Sequence, residues 1–289
     1  MALKDIMQKT LDAYNDVFAD IINGFLFHGE QVIDPVDLED QTPRSIYKAQ
    51  GRLHEIERDV AKRWKQNGIR IACGGIENQT KADEYMPLRT IGYDGAEYQA
   101  QVRRQEGRYP VFTIVLHFNY EKRWDKPTRL LDSMTVPDVL KPYVNDYEMH
   151  VFDVAFLEPE QLDWFHSDFR IVADYFVQKR MNKDYVPSKE QMTHVMETLE
   201  LLSAMTNDER FFEAYFGSQE GEIKNMCDVL DRIETRGKVE GFALGKKEGE
   251  NKLAKLMDKL FSLNRTNDAM RAAADPEYRE KLYEELGIA

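Results

Sequence analysis

Strand signals in this sequence stop near residue 160, and helical periodicity takes over from there to the end. That division predicts an α/β core followed by an all-α extension, because strands and helices that alternate early must share one sheet while a late run of helices packs on itself or on that core. YPVFTIVLHF, residues 109–118, is the plainest strand: β-branched, aromatic and nearly uncharged. IRIACGGIENQ, residues 69–79, reads as a buried strand, and EMHVFDVAFL, residues 148–157, as another. Asn67-Gly68 predicts a hairpin turn joining residues 69–79 to a strand in RLHEIERDVAKRWKQNG.

Residues 6–27 predict an amphipathic helix, with Ile6, Met7, Leu11, Tyr14, Phe18, Ile21, Ile22 and Phe25 recurring at three and four. Its other side carries Asp12, Asp16 and Asp20, four apart, where like charges repel; they face water or meet something positive. Residues 28–43, with two prolines and five acids, read as a connection, and residues 86–101 as a helix. DWFHSDFRIVADYFVQKR, HVMETLELLSAM and the stretch after Asn225 carry the later helices. Gly237, Gly241, Gly245 and Gly249 recur every four residues. Each interior glycine costs a helix about 1 kcal/mol relative to alanine, so either another helix approaches closely there or the segment is a polar hinge. The expected organisation is a core over 1–160, a helical region packed on it over 161–221, and a glycine-spaced helical tail over 222–289.

A chain that is 42% hydrophobic and 11% aromatic is not wholly disordered. No window approaches eighteen consecutive apolar residues, so no membrane-spanning helix is expected. MALKDIMQKTLDAYND places acids where a signal peptide needs an apolar stretch. Cys73 and Cys227 cannot form a disulfide framework, and a cytoplasmic setting is expected. The six histidines lack zinc-site spacing, and there is no phosphate-cradling glycine loop or dinucleotide fingerprint, so no small-molecule cofactor is expected. The net charge of −13 argues against a general nucleic-acid coat. It is uneven, however: −7 over residues 1–43, +6 over 44–130 and −12 over 131–289. The basic middle could meet a phosphate backbone locally, or be solvated charge.

The residues that could carry chemistry are Asp59, Glu77 and Gln79. Glu77 falls near the end of an apolar strand, where a charge is expensive unless paired or metal-bound. Residues 77 and 79 share a face, and if the strand near Asp59 pairs with that of Glu77 the two carboxylates converge. Two carboxylates suit Mg²⁺ with its waters retained, and such an ion can activate water and neutralise a phosphodiester. The spacing by itself also fits ordinary solvated acids.

RDVAKRW, GIENQT and MPLRTIGYD, in that order, resemble the Rpn family of recombination-promoting nucleases, also carried under the name putative transposases, in the PD-(D/E)XK nuclease superfamily. FADIIN (18–23), YPVFTIVLHF, SDFRIVADYFVQKR (167–180) and the glycine-spaced tail extend the likeness over roughly residues 12–250. The resemblance implies a restriction-endonuclease-like three-layer α/β core with a C-terminal α-helical extension. It implies a metal-dependent DNA endonuclease linked to recombination, mobile elements or defence, using Mg²⁺ or Mn²⁺. Asp59 and Glu77 would be metal ligands, Gln79 would stand where the superfamily has lysine, and Asp20 would be the first-helix acid that binds or positions metal. On a helical wheel Asp20 lies opposite the apolar stripe, which simple solvent exposure also explains. Arg89 would contact DNA phosphate or form a structural ion pair. Cutting both strands symmetrically implies a homodimer, with the tail as its interface. The alternative is a catalytically silent protein of this fold that serves in interaction and oligomerisation.

Overall fold

The computed structural model describes residues 11–40, 44–49, 52–57, 59–66, 69–104, 107–181, 184–216 and 222–288. The Asn67-Gly68 turn and the first residues of the 6–27 helix lie outside them; within the described part that helix is interrupted at Ala13-Tyr14, where Tyr14 is extended, and its main run starts at Asn15. The chain divides into two compact units, Met1–Val229 and Leu230–Ala289.

The first unit is built on a mixed five-stranded sheet. Helix α1 (Asn15–Phe27) precedes β1 (Leu38–Asp40), β2 (Arg44–Ala49), β3 (Arg52–Glu57), β4 (Val60–Gln66) and β5 (Ile69–Gln79). Helix α2 (Met86–Arg104), β6 (Val111–His117) and β7 (His150–Asp153) follow. The sheet order is β1-β4-β5-β6-β7, while β2 and β3 form a separate antiparallel ribbon. β5 pairs antiparallel with β4 and parallel with β6, and β6 pairs parallel with β7. β5 is therefore the middle strand, and its residues from Ala72 to Asn78 are all buried, as its apolar run requires. A parallel neighbour needs a crossover, and α2 supplies it.

The two faces of β5 and β6 are covered by different helices. On one, Met86 of α2 packs with Val115 and Met149, and Thr113 donates to Asp94 of α2 at 2.7 Å. On the other, Phe25 of α1 meets Phe152 at 4.7 Å and Phe165 at 5.0 Å between ring centroids. Helix α3 (Phe169–Arg180) adds Phe169 and Phe176 beside Phe118. Helix, sheet and helix thus form three layers. Helices α4 (Val195–Thr206) and α5 (Arg210–Phe216) complete the unit.

Two expected boundaries shift. The 28–43 connection contains the edge strand β1, paired with β4 through Leu38↔Trp64. The strand expected over 148–157 ends at Asp153, where a 3-10 turn over Val154–Phe156 begins.

Helix α6 runs Met226–Ser262, α7 Thr266–Ala274 and α8 Pro276–Leu286. In the second unit Leu256, Leu260, Ala269, Ala272, Leu282 and Tyr283 form a buried cluster. The four spaced glycines all lie in α6, and a Cβ built on any of them meets nothing within 4 Å. No close helix within the described residues therefore offsets their cost. Among the described residues no helix is long and apolar enough to cross a membrane.

Candidate active site

Asp59 precedes β4 and Glu77 lies near the end of the buried part of β5. The antiparallel register Val60↔Ile76 sets them side by side. Asp59 Oδ2 accepts the backbone N–H of Asn78 at 2.8 Å, which fixes its carboxylate beside the strand end that carries Glu77. The strand pairing on which the expected convergence of these two acids depends is thus present. Glu77 is only 2% exposed, and a carboxylate so placed needs compensation. Gln79, two residues on and on the same face, donates through Nε2 to Glu77 Oε1 at 3.3 Å.

The positive charge comes from α2. Arg89 Nη2 donates to the same Glu77 Oε1, and Arg89 Nη1 lies 3.3 Å from Asp83 Oδ2. Arg89 is thus a structural ion-pair partner in this conformation. Burial alone would lower the affinity of its guanidinium for a proton, but the charge of Glu77, with Tyr93 and Asp83, raises it above the ordinary arginine value. Tyr93, one helical turn further along α2, accepts from Arg89 Nε at 3.3 Å and Nη2 at 3.1 Å. Burial and the Glu77 charge push its hydroxyl up to about 12, against the opposing effect of Arg89.

The N-terminal acid that reaches this place is Asp12, which precedes α1. It is fully buried, and Asn78 Nδ2 donates to its Oδ2 at 2.6 Å, while Oδ1 has no hydrogen-bond partner among the described residues. Burial pushes its carboxyl up to about 7; the Asn78 hydrogen bond works against this and the Asp59 charge adds to it. Asp20 goes elsewhere. It is 5% exposed, which corrects the solvent-facing reading. Its oxygens accept from the backbone N–H of His166 at 2.9 Å and from Ser167 N–H at 2.8 Å and Oγ at 2.7 Å, just before α3. Those bonds tie α1 to α3 and do not bring Asp20 to Asp59 and Glu77.

The strand ends extend this row. Gln79 is in register with His117, and His117 with Asp153, across β5, β6 and β7. His117 is 1% exposed and its Nδ1 lies 2.7 Å from Asp153 Oδ1. Ligands of open α/β sheets gather at the carboxyl ends of parallel strands, which is where these groups stand.

Among the described residues no three His, Cys, Asp or Glu side chains converge closely enough to hold a metal by themselves. The pair Asp59 and Glu77 still fits a hard divalent ion, since Mg²⁺ is commonly held by one or two carboxylates with water and substrate phosphate completing its shell.

Asp12, Tyr93 and His117 were not singled out for this site from the sequence. Tyr93 had a usable signal, its spacing of four from Arg89 on a helix. Residues 74–209 match the family model described as "Putative transposase, YhgA-like". The match begins at Gly74 on β5, so it contains Glu77, Gln79 and Arg89, while Asp12 and Asp59 precede it. No curated protein and no solved structure matches the chain.

Proposed function

We propose, from the match of residues 74–209 to the "Putative transposase, YhgA-like" family model, that this chain is a metal-dependent DNA endonuclease of the PD-(D/E)XK kind. The observation that carries the reading is the convergence of Asp59 on the strand end bearing Glu77 and Gln79. The antiparallel β4–β5 pair followed by the α2 crossover to parallel β6 is the setting such a site requires. Asp59 and Glu77 would hold Mg²⁺ or Mn²⁺, which when bound supplies charge to a phosphodiester and acidifies water. Gln79 orients a water or a phosphate oxygen through its amide. It carries no charge, and the guanidinium of Arg89, which shares Glu77 Oε1 with it, provides the cation that lysine supplies elsewhere in the superfamily. Released from Glu77, Arg89 is placed to contact phosphate, and preorganised charge of this type is a large part of phosphoryl-transfer catalysis. The net charge of +6 over residues 44–130 favours a phosphate backbone as substrate. The biological setting is DNA breakage tied to recombination, mobile elements or defence, by a homodimer with one centre per strand.

The experiment is incubation of purified protein with supercoiled plasmid in Mg²⁺ or Mn²⁺, beside EDTA and a Glu77→Ala control. Metal-dependent nicking lost in the variant is expected. Cutting that survives E77A or EDTA removes the assignment. A second reading, a catalytically silent protein of this fold, is favoured by one observation: the guanidinium of Arg89 already pairs with Glu77. Absence of cutting, together with no metal-induced rise in thermal midpoint that E77A abolishes, would select it.

A further inference from the structure

Beyond β7, the edge strand of the sheet, lies a cavity of about 280 Å³. Its size is at the small end of ligand pockets, with room for one heteroaromatic ring system and little more. Its walls are flat. Phe152, Phe156 and Trp164 line it, and so does His28, with its ring centroid 5.1 Å from that of Trp164. Arg123 also lines it, 60% exposed, with its guanidinium carbon 4.6 Å from the Phe156 centroid.

The one carboxylate in the wall, Asp153, is half committed. Its Oδ1 receives His117 Nδ1 at 2.7 Å and the backbone N–H of Trp124 at 2.9 Å. Its Oδ2 faces Arg123 Nη1 at 3.9 Å, which is beyond hydrogen-bond length. The pocket therefore offers aromatic faces for stacking, an acceptor oxygen for ring N–H groups, and an exposed guanidinium for an anion. An apolar ligand would leave the Asp153 oxygen and Arg123 unused, and a bare anion would meet the carboxylate.

We propose that this cavity is a subsite for an unstacked nucleobase carrying N–H donors on its edge, guanine foremost, with its phosphate directed to Arg123. Guanine presents adjacent ring and exocyclic donors that can share the single oxygen Asp153 Oδ2, whereas uracil presents one donor flanked by carbonyls that the carboxylate repels. Base stacking on aromatic side chains supplies the sequence-tolerant part of the affinity. The base can come from a free nucleotide or from a single strand. The second source rests on the nuclease reading, and the geometry suits it. Asp153 is in register with His117 and His117 with Gln79, so the pocket wall stands two strands from Gln79, about 10 Å at ordinary strand spacing.

The test is a tryptophan-fluorescence titration of the full chain in EDTA, where no turnover occurs, with guanosine 5′-monophosphate, uridine 5′-monophosphate and ribose 5-phosphate. Saturable quenching by the guanine nucleotide is expected, at least about tenfold tighter than for the uridine nucleotide and absent for the sugar phosphate. Arg123→Ala, at an exposed position, should weaken it by about tenfold. Trp164→Phe should remove most of the quenching while calorimetry still detects binding. Equal binding of the sugar phosphate or the uridine nucleotide, no saturation at millimolar nucleotide, or an unaltered R123A would overturn the proposal. Guanine-containing single-stranded DNA that displaces the nucleotide, where the duplex does not, identifies the strand as the source. Binding of the mononucleotide alone identifies a free nucleotide, and either result upholds the pocket's ligand class. Absence of plasmid cutting by the unaltered chain in either metal would count against the nuclease reading without touching this titration.

Discussion

Asp12→Asn should stabilise the protein, and increasingly so as pH rises. The Asp12 carboxyl is fully buried, and burial raises it from 3.8 to about 7. In the folded chain it keeps its proton over a range where the unfolded chain has lost it. Its contribution to stability is therefore intact below pH 3.8, declines between 3.8 and 7, and is lost above 7. A shift of about three units corresponds to roughly 4 kcal/mol at about 1.4 kcal/mol per unit, an upper bound because the folded state relaxes around the charge. Asparagine has nearly the same shape, never ionises, and can still accept from Asn78 Nδ2, which lies 2.6 Å from Asp12 Oδ2. The assay is urea unfolding of both proteins in EDTA, followed by far-ultraviolet circular dichroism, at intervals from pH 4 to 8. The stability gap in favour of D12N should widen by up to about 1.4 kcal/mol per pH unit to neutrality and then level off. A gap that is flat over that interval, or one that favours wild type at pH 8, refutes the argument that burial dominates the Asp12 environment.

Three further outcomes follow from other parts of the structure. Arg89→Ala strips the 2% exposed Glu77 of its guanidinium; because Arg89 itself is 39% exposed, the expected loss is about 2 kcal/mol rather than the larger cost of a wholly buried pair, and Mg²⁺ should recover more stability in this variant than in wild type, as calorimetric melting would show. Gly24→Ala places a Cβ 2.2 Å from Phe165 Cε1, which α1 and the Phe165 ring can relieve only by moving apart, so denaturant titration should register a loss of about 1–3 kcal/mol. Removing residues 230–289 deletes the second unit and most of α6, where Val239, Phe242 and Leu244 are exposed. Light scattering should show the wild-type mass fall to that of a single shortened chain, and an unchanged number of chains per particle would count against the tail as the self-association interface.

Much of the fold was legible because the decisive segments carry one-sided signals. IRIACGGIENQ is strand β5 from Ile69 to Gln79, as its apolar run predicts. The helix after it begins at Met86 as expected and runs on to Arg104. Less legible were segments whose structure depends on partners distant in sequence. Leu38–Asp40 reads as acidic connection, yet it is a strand because β4 offers it an edge. Residues 154–156 have strand composition but turn away where β7 ends as the last strand of the sheet.

The site shows the limit of reading a helix as a wheel. Asp12, Asp16 and Asp20 share a spacing of four and one apparent solvent face, but only Asp16 behaves as such, reaching His194 at 2.9 Å while 49% exposed. Asp12 is buried because β5 turns Asn78 toward it, and Asp20 because the backbone before α3 turns N–H groups toward it. Asp20 lies on a face of α1 that is polar in sequence and internal in space, since a helix between a sheet and a second layer of helices is enclosed on more than its apolar stripe, whereas Asp12 precedes α1, across the break at Ala13-Tyr14. Periodicity cannot distinguish that case from solvent exposure, because the donors that make burial tolerable come from residues 66 and 146 positions away. A charge repeated on one helix face is therefore a question about what the remainder of the chain places against it. Here the answer separates an acid beside the proposed metal centre from one that fastens two helices together.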